Sequence, residues 1–193
     1  MGYPVFLNLK GIRVVIIGGG RIAERKLRSV IQEDANIVLV ASKISDSIKA
    51  LSSVSSFTLI EEKFETCHLE KATLVFAASS DQAVNEQVTD LCKVKGIMVN
   101  NCMDSRDSTF RSGATIKRGE VEIAIGTGGK RPGLSKWLGS IIETALPSDL
   151  NTLIDDYDTI RNEARNKFEN SKDREQYIIE AFENICENIG RKK

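Results

Sequence analysis

The feature that most constrains this chain is VVIIGGGRIAERK, residues 14–26. Val14–Ile17 is a continuous apolar, β-branched run, as expected of a strand buried on both faces. It drops into Gly18, Gly19 and Gly20 and then climbs into a helical stretch reaching about residue 32. Gly18, Gly20 and Ala23 fit G-x-G-x-x-A between a strand and a helix, the context in which that spacing carries meaning. Gly18 permits the tight turn, Gly20 lets a pyrophosphate approach the backbone, and Ala23 lets helix and strand pack closely. The helix N-terminus then offers unpaired N–H groups and the positive end of its dipole. Gly18, Gly20, Arg21, Ile22 and Ala23 are therefore candidate ligands of a dinucleotide.

The first half of the chain repeats this alternation. Short apolar runs at 37–41, 57–61, 74–78 and 97–100 read as further strands, with helices over 44–51 and 81–94 between them. Strands alternating with helices imply a Rossmann-like parallel sheet, an α/β architecture. After Asp104 the pattern changes. Residues 110–116 and 121–125 read as two strands joined by a turn, and a glycine-rich loop, GTGGKRPG, leads into a helix from about Leu134 to Leu146. Two amphipathic helices follow, one carrying Leu150, Leu153, Ile154, Tyr157, Ile160, Ala164 and Phe168, the other Tyr177, Ile178, Ala181, Phe182, Ile185 and Ile189. Their apolar faces need a cover, either each other or a partner subunit. The expected division is a Rossmann domain over 1–112, a small α+β dimerisation segment over 113–147 and a helical region over 148–193. The tail Arg191–Lys193 reads as frayed and solvated.

Charge and cysteine content exclude several functions. The chain has 27 basic and 27 acidic residues, so no global field draws it to nucleic acid. No apolar run approaches the roughly 18 residues of a membrane helix, and the N-terminus lacks the pattern of an export signal. A cytoplasmic location is the expectation. Cys67, Cys92, Cys102 and Cys186 form no CxxC pair, and the one histidine is His68, which argues against a metal site. Cys67-His68 reads as an ordinary loop pair rather than a nucleophilic site.

The acidic residue that usually ends the second strand of such a unit is missing. Ala41, Ser42 and Lys43 stand there. Ser42 could bind a ribose hydroxyl, and Lys43 could take a 2′-phosphate, so NAD and NADP both remain open from the motif. Ser79, after the fourth strand, lies on the same carboxyl edge and is a candidate for the nicotinamide half, or for capping the next helix.

Several motifs occur in a fixed order: YPVFLNLKG from Tyr3, G-G-G-x-x-A-x-R-K from Gly18, A-x-x-D-x-x-V-N from Ala78, V-N-x-x-x-D from Val99, R-G at Arg118, and I-x-T-G-G-x-x-P from Ile125. Together they resemble the precorrin-2 dehydrogenase family, the NAD-binding part of siroheme synthases, over roughly residues 3–146. The resemblance implies oxidation of precorrin-2 to sirohydrochlorin with NAD as cofactor. In some members it also implies insertion of iron or cobalt. It further implies a homodimer in which the segment after the Rossmann unit intertwines between subunits.

It implies site residues as well. A carboxylate near the nicotinamide could take the proton released in the oxidation. Asp104 matches the family's aspartate, with Asp107 its loop competitor. The substrate carries carboxylates, which arginine forks suit. Arg111, Arg118 and Arg131 are its candidate partners, with Lys117 and Lys130 weaker ones. Thr127 opens the glycine-rich loop, which does not match a nucleotide P-loop and reads as a substrate-carboxylate or structural loop. Where many relatives carry a serine, this chain has Gly126. Two other readings compete. A non-catalytic Rossmann sensor of NAD(H) would need neither Asp104 nor the basic residues. A short-chain or 2-hydroxy-acid dehydrogenase lacks support, because Tyr-x-x-x-Lys is absent and His68 is in an apparent loop. The chain is too short to carry the methyltransferase module of trifunctional siroheme synthases.

Overall fold

A computed structural model describes residues 2–129 and 131–190, with side chains for all of these except Ser105 and 186–190. Lys130, the side chains of Cys186 and Ile189, and the tail Arg191–Lys193 lie outside the described residues. The chain divides into two compact units, Met1–Ser112 and Gly113–Lys193.

The first unit is built on parallel strands β1 (Arg13–Ile17), β2 (Asn36–Val40), β3 (Thr58–Ile60), β4 (Leu74–Ala77) and β5 (Met98–Asn101), ordered β3-β2-β1-β4-β5. The helices are α1 (Arg21–Val30), α2 (Asp46–Ser52) and α3 (Gln82–Val94). The continuous apolar run of β1 has the expected cause. Val14 and Ile16 pack with Ala23, Leu27 and Val30 of α1 and Ile48 of α2, while Val15 and Ile17 pack with Val88 and Cys92 of α3. Side chains alternate across a strand, so a sheet covered on both faces needs an apolar residue at every position. Fully burying a side chain such as Leu27 contributes about 1.5–3 kcal/mol.

The strand order reverses between β1 and β4, and the register aligns their ends. Ile17 lies beside Val40 and Ala77, and Ala77 beside Asn101. The segments after these residues therefore leave the sheet along one edge, where such sheets bind ligands.

The second unit contains the hairpin β6 (Ala114–Arg118) and β7 (Val121–Ile125), then α4 (Pro132–Ala145), α5 (Leu150–Lys167) and α6 (Ser171–Gly190). α5 and α6 cover each other's apolar faces. Tyr157 meets Phe182 edge-on at 5.1 Å, Phe168 lies 5.5 Å from Tyr177, and the Tyr177 hydroxyl donates to Glu163 at 2.9 Å.

Several boundaries differ from the sequence reading, α2 starting at Asp46 rather than 44 among them, and two have a visible cause. β6 starts at Ala114 rather than Phe110, because residues 108–110 bond back to β5: Val99 N–H donates to Thr109 Oγ1 at 2.7 Å and Asn100 Nδ2 to the Phe110 carbonyl at 3.1 Å. α4 starts at Pro132, two residues before Leu134; proline at the first helical position lacks only an N–H the helix would not use.

Candidate dinucleotide site at the carboxyl edge

A row of backbone hydrogen bonds closes the sheet's carboxyl edge. Gly18 N–H donates to the Val40 carbonyl at 2.9 Å, Ala78 N–H to Ile17 at 2.8 Å, Cys102 N–H to Ala77 at 2.9 Å and Ala41 N–H to Ile60 at 3.0 Å. Four connections issue from this row: the glycine turn, the Ser42 segment, the Ser79 turn and the loop bearing Asp104.

Gly18 has φ +133°, and a Cβ there would run into the Ala78 carbonyl. Both facts require glycine. Gly19 presses on the Ala41–Ile44 segment, and its carbonyl accepts from Ser45 N–H at 2.9 Å. The segment carrying Ser42 and Lys43, both exposed, thus braces the turn.

Gly20 differs from its two neighbours. It caps α1 in an extended conformation with no side-chain hydrogen bond, and a Cβ on it would meet nothing within 4 Å. In the first turn of α1, Arg21 is exposed, Ile22 half-buried and Ala23 buried. An uncapped helix N-terminus beside a bare glycine fits a pyrophosphate. Gly20 and the first-turn amides of α1 are the groups that would hold it.

Ser79 does not cap α3. Asp81 does, accepting from Ala83 N–H at 2.9 Å, while Ser79 Oγ accepts from Asp81 N–H at 3.1 Å. The residue that fixes this turn is Asn85, which is fully buried. Its Oδ1 accepts from Ser79 N–H and its Nδ2 donates to the Ser79 carbonyl, both at 2.9 Å. The ordered motifs included Asn85, yet nothing in its spacing revealed that both backbone groups of Ser79 depend on it.

Residues 102–107 form a loop fastened at its base. Asn101 N–H donates to Ser108 Oγ at 2.9 Å, and Asn101 Oδ1 accepts from the N–H groups of Met103 and Asp104 at 3.0 Å each. Lys93 of α3 holds Asp107 at 2.9 Å. Asp104, the expected base, is at the turn of this loop and is paired with Arg106. That guanidinium holds the Asp104 carboxyl down at about 2, below its ordinary 3.8. Sequence reasoning missed Arg106, because a partner two residues away in a turn leaves no periodic signal.

Cys102, at the start of this loop, and Lys26 of α1 are partly buried, and burial pushes the thiol up and the amine down. Lys26 donates to Ser112 Oγ and lies 5.3 Å from the centre of the Phe76 ring. His68 Nδ1 accepts from Glu65 N–H at 2.9 Å, which ties it to its own turn rather than to Cys67. No cluster of metal-ligating side chains occurs among the described residues.

The substrate candidates are divided between the units. Arg111 is exposed in the first. In the second, Arg118 pairs with Glu143 of α4 at 3.2 Å. Thr127 Oγ1 bonds the Arg131 carbonyl at 2.9 Å and Ser135 Oγ at 2.7 Å. Thr127 and Arg131 are thus brought together, with Thr127 committed to bracing the start of α4.

The chain is 32% identical over 180 residues to the siroheme synthase of Pseudoalteromonas translucida (strain TAC 125), covering 93% of this chain and 38% of that protein. It is 30% identical over 181 residues to the siroheme synthase of Neisseria meningitidis serogroup C (strain 053442), again covering 93% and 38%. The chain thus spans well under half the length of these relatives. Its fold is similar to the solved structure of SirC, precorrin-2 dehydrogenase, with a TM-score of 0.75, 24% identity and coverage of 98% and 100%. The family resemblance drawn from the ordered motifs is borne out. A family model described as putative NAD(P)-binding matches residues 5–114, which hold the whole sheet, the glycine turn and the Asp104 loop, and the chain belongs to that family.

Proposed function

We propose that this chain is an NAD⁺-dependent dehydrogenase that oxidises precorrin-2 to sirohydrochlorin. The observation that carries this reading is the shared edge: an uncapped glycine turn, the clamped Ser79 turn and the Asp104 loop leave the sheet on either side of its switch point. The named activities of the siroheme synthases and of SirC support the substrate. When bound, the dinucleotide supplies a nicotinamide ring that accepts a hydride. The chain's own groups then have separate tasks. Gly20 and the α1 amides hold the phosphates, and Ser42 binds the ribose. Ser79 orients the nicotinamide half, and Asp104 takes the proton that leaves the substrate. Arg111, Arg118 and Arg131 pair with substrate carboxylates, while Thr127 shapes the loop that presents Arg131.

The same reading makes the enzyme a homodimer. Its support is the exposed apolar face of α4, where Leu134, Trp137 and Ile141 are 42%, 58% and 47% accessible.

An anaerobic assay with precorrin-2 tests the reaction, comparing NAD⁺ with NADP⁺. The expected result is the sirohydrochlorin spectrum with NAD⁺. Adding Fe²⁺ or Co²⁺ afterwards scores metal insertion against the enzyme-free rate. Dinucleotide binding without oxidation would instead favour an NAD(H)-sensing domain.

A further inference from the structure

Arg106 engages Asp104 more completely than a chance surface pair would. Its main-chain N–H reaches Oδ1 at 3.0 Å, its Nε reaches Oδ1 and Oδ2 at 3.0 Å each, and its Nη2 reaches Oδ2 at 2.5 Å. Both carboxylate oxygens are occupied, so Asp104 as it stands is a poor proton acceptor. Yet the pair is in water, the Arg106 side chain 86% exposed and that of Asp104 35% exposed. Exposed ion pairs gain little net free energy and exchange partners readily. A guanidinium fork fits any carboxylate. The other charges near the pair are Asp107, which acts on Arg106, and Lys93 of α3, which is bound to Asp107.

We propose that Arg106 is a transferable counter-ion, holding Asp104 in the free enzyme and passing to a carboxylate of the bound substrate, which leaves Asp104 open to accept a proton. The inference rests on the dehydrogenase reading for Asp104's role. The exchange makes and breaks no covalent bond. Its effect is that the base becomes active only when a polycarboxylate is present. Freed of Arg106, the Asp104 carboxyl returns from about 2 toward 3.8, a gain in proton affinity of between one and two powers of ten. Arg106 is thus a substrate-binding residue whose transfer frees Asp104.

A binding cycle without cofactor tests this. The probe is uroporphyrin, a stable porphyrin polycarboxylate, titrated by fluorescence against the 193-residue chain and against Arg106→Ala, Arg106→Lys, Asp104→Asn and the double variant Asp104→Asn/Arg106→Ala. If Asp104 and the ligand compete for one guanidinium, Asp104→Asn binds the probe at least fivefold more tightly than the parent. Arg106→Ala binds it at least fivefold more weakly, with Arg106→Lys between. In the Arg106→Ala background the gain from Asp104→Asn disappears, which separates competition from simple loss of a negative charge. Equal affinities for Asp104→Asn and the parent, a gain that persists without Arg106, or no probe binding by any of these proteins would overturn the proposal. The cycle involves no turnover. A chain that fails to oxidise precorrin-2 yet gives the expected cycle sinks the dehydrogenase reading and leaves the counter-ion in place.

Discussion

At the scale of single residues, Asn85 shows how a side chain with no chemistry of its own can govern a site. It is fully buried and joins α3 to both backbone groups of Ser79. Asn85→Ala would leave those groups without their partner, a cost of about 1–3 kcal/mol. The expected outcome is a lower Tm in thermal melts together with weaker NAD⁺ binding. Gly18→Ala is expected to act more sharply, since the backbone is at φ +133° and a methyl group would meet Ala78. Isothermal titration should show at least a tenfold loss of dinucleotide affinity. Asp104 carries a pH signature. Its folded-state carboxyl is depressed from 3.8 to about 2 by Arg106. The stability it contributes is therefore present above pH 3.8 and lost as pH falls toward 2. Because the pair is exposed, the effect is modest. Arg106→Ala should lower stability slightly above pH 3.8, flatten that part of an acid-unfolding curve, and leave stability below about pH 2 unchanged.

At the scale of elements, the loop at 102–107 depends on hydrogen bonds along β5 rather than on packing of its own. Thr109→Val removes the oxygen that accepts the Val99 N–H. The expected cost is about 1–3 kcal/mol, with faster amide hydrogen exchange at residues 102–110. These same bonds explain what sequence reading could and could not see. β1, β2 and β4 were legible because burial on both faces leaves an unbroken apolar run. The glycine turn was legible because its backbone demands glycine at Gly18. The start of β6 was not, since Thr109 and Phe110 look like strand residues but pair with β5, a long-range choice that local pattern does not encode. Asp104 was proposed from its motif, whereas its pairing with Arg106 was not visible there. Two side chains meeting across a turn leave no repeat in the sequence. Of the two roles open to Ser79, capping α3 falls to Asp81 instead, because Ser79 and Asp81 are both suitable cap residues.

At the scale of the molecule, the proposed function assigns the two units different tasks. Both apolar layers around the sheet are drawn entirely from residues up to Phe110. A fragment of residues 1–112 is therefore expected to fold and to bind NAD⁺ within a few-fold of the whole chain. It should fail to oxidise precorrin-2 if Arg118 and Arg131 hold the substrate. Equilibrium titration and the anaerobic assay check the two halves of that statement. The second unit exposes Trp137 and Ile141 on α4 beside a shallow concavity lined by Ser140, Thr144 and Ala145. If the proposed homodimer forms through this face, Trp137→Glu should yield monomer in sedimentation, because a charge cannot be buried there without a partner.

The fastened base of the 102–107 loop has an engineering consequence. Asn101 and Ser108 set the separation of its two ends, so the residues between them behave as a cassette clipped to a frame. Their composition can be rewritten to install a different acid, base or anion receptor while the nucleotide cradle across the sheet keeps its register. A scaffold of this kind can acquire new reactions by exchanging six residues, without having to evolve a new way of holding its coenzyme.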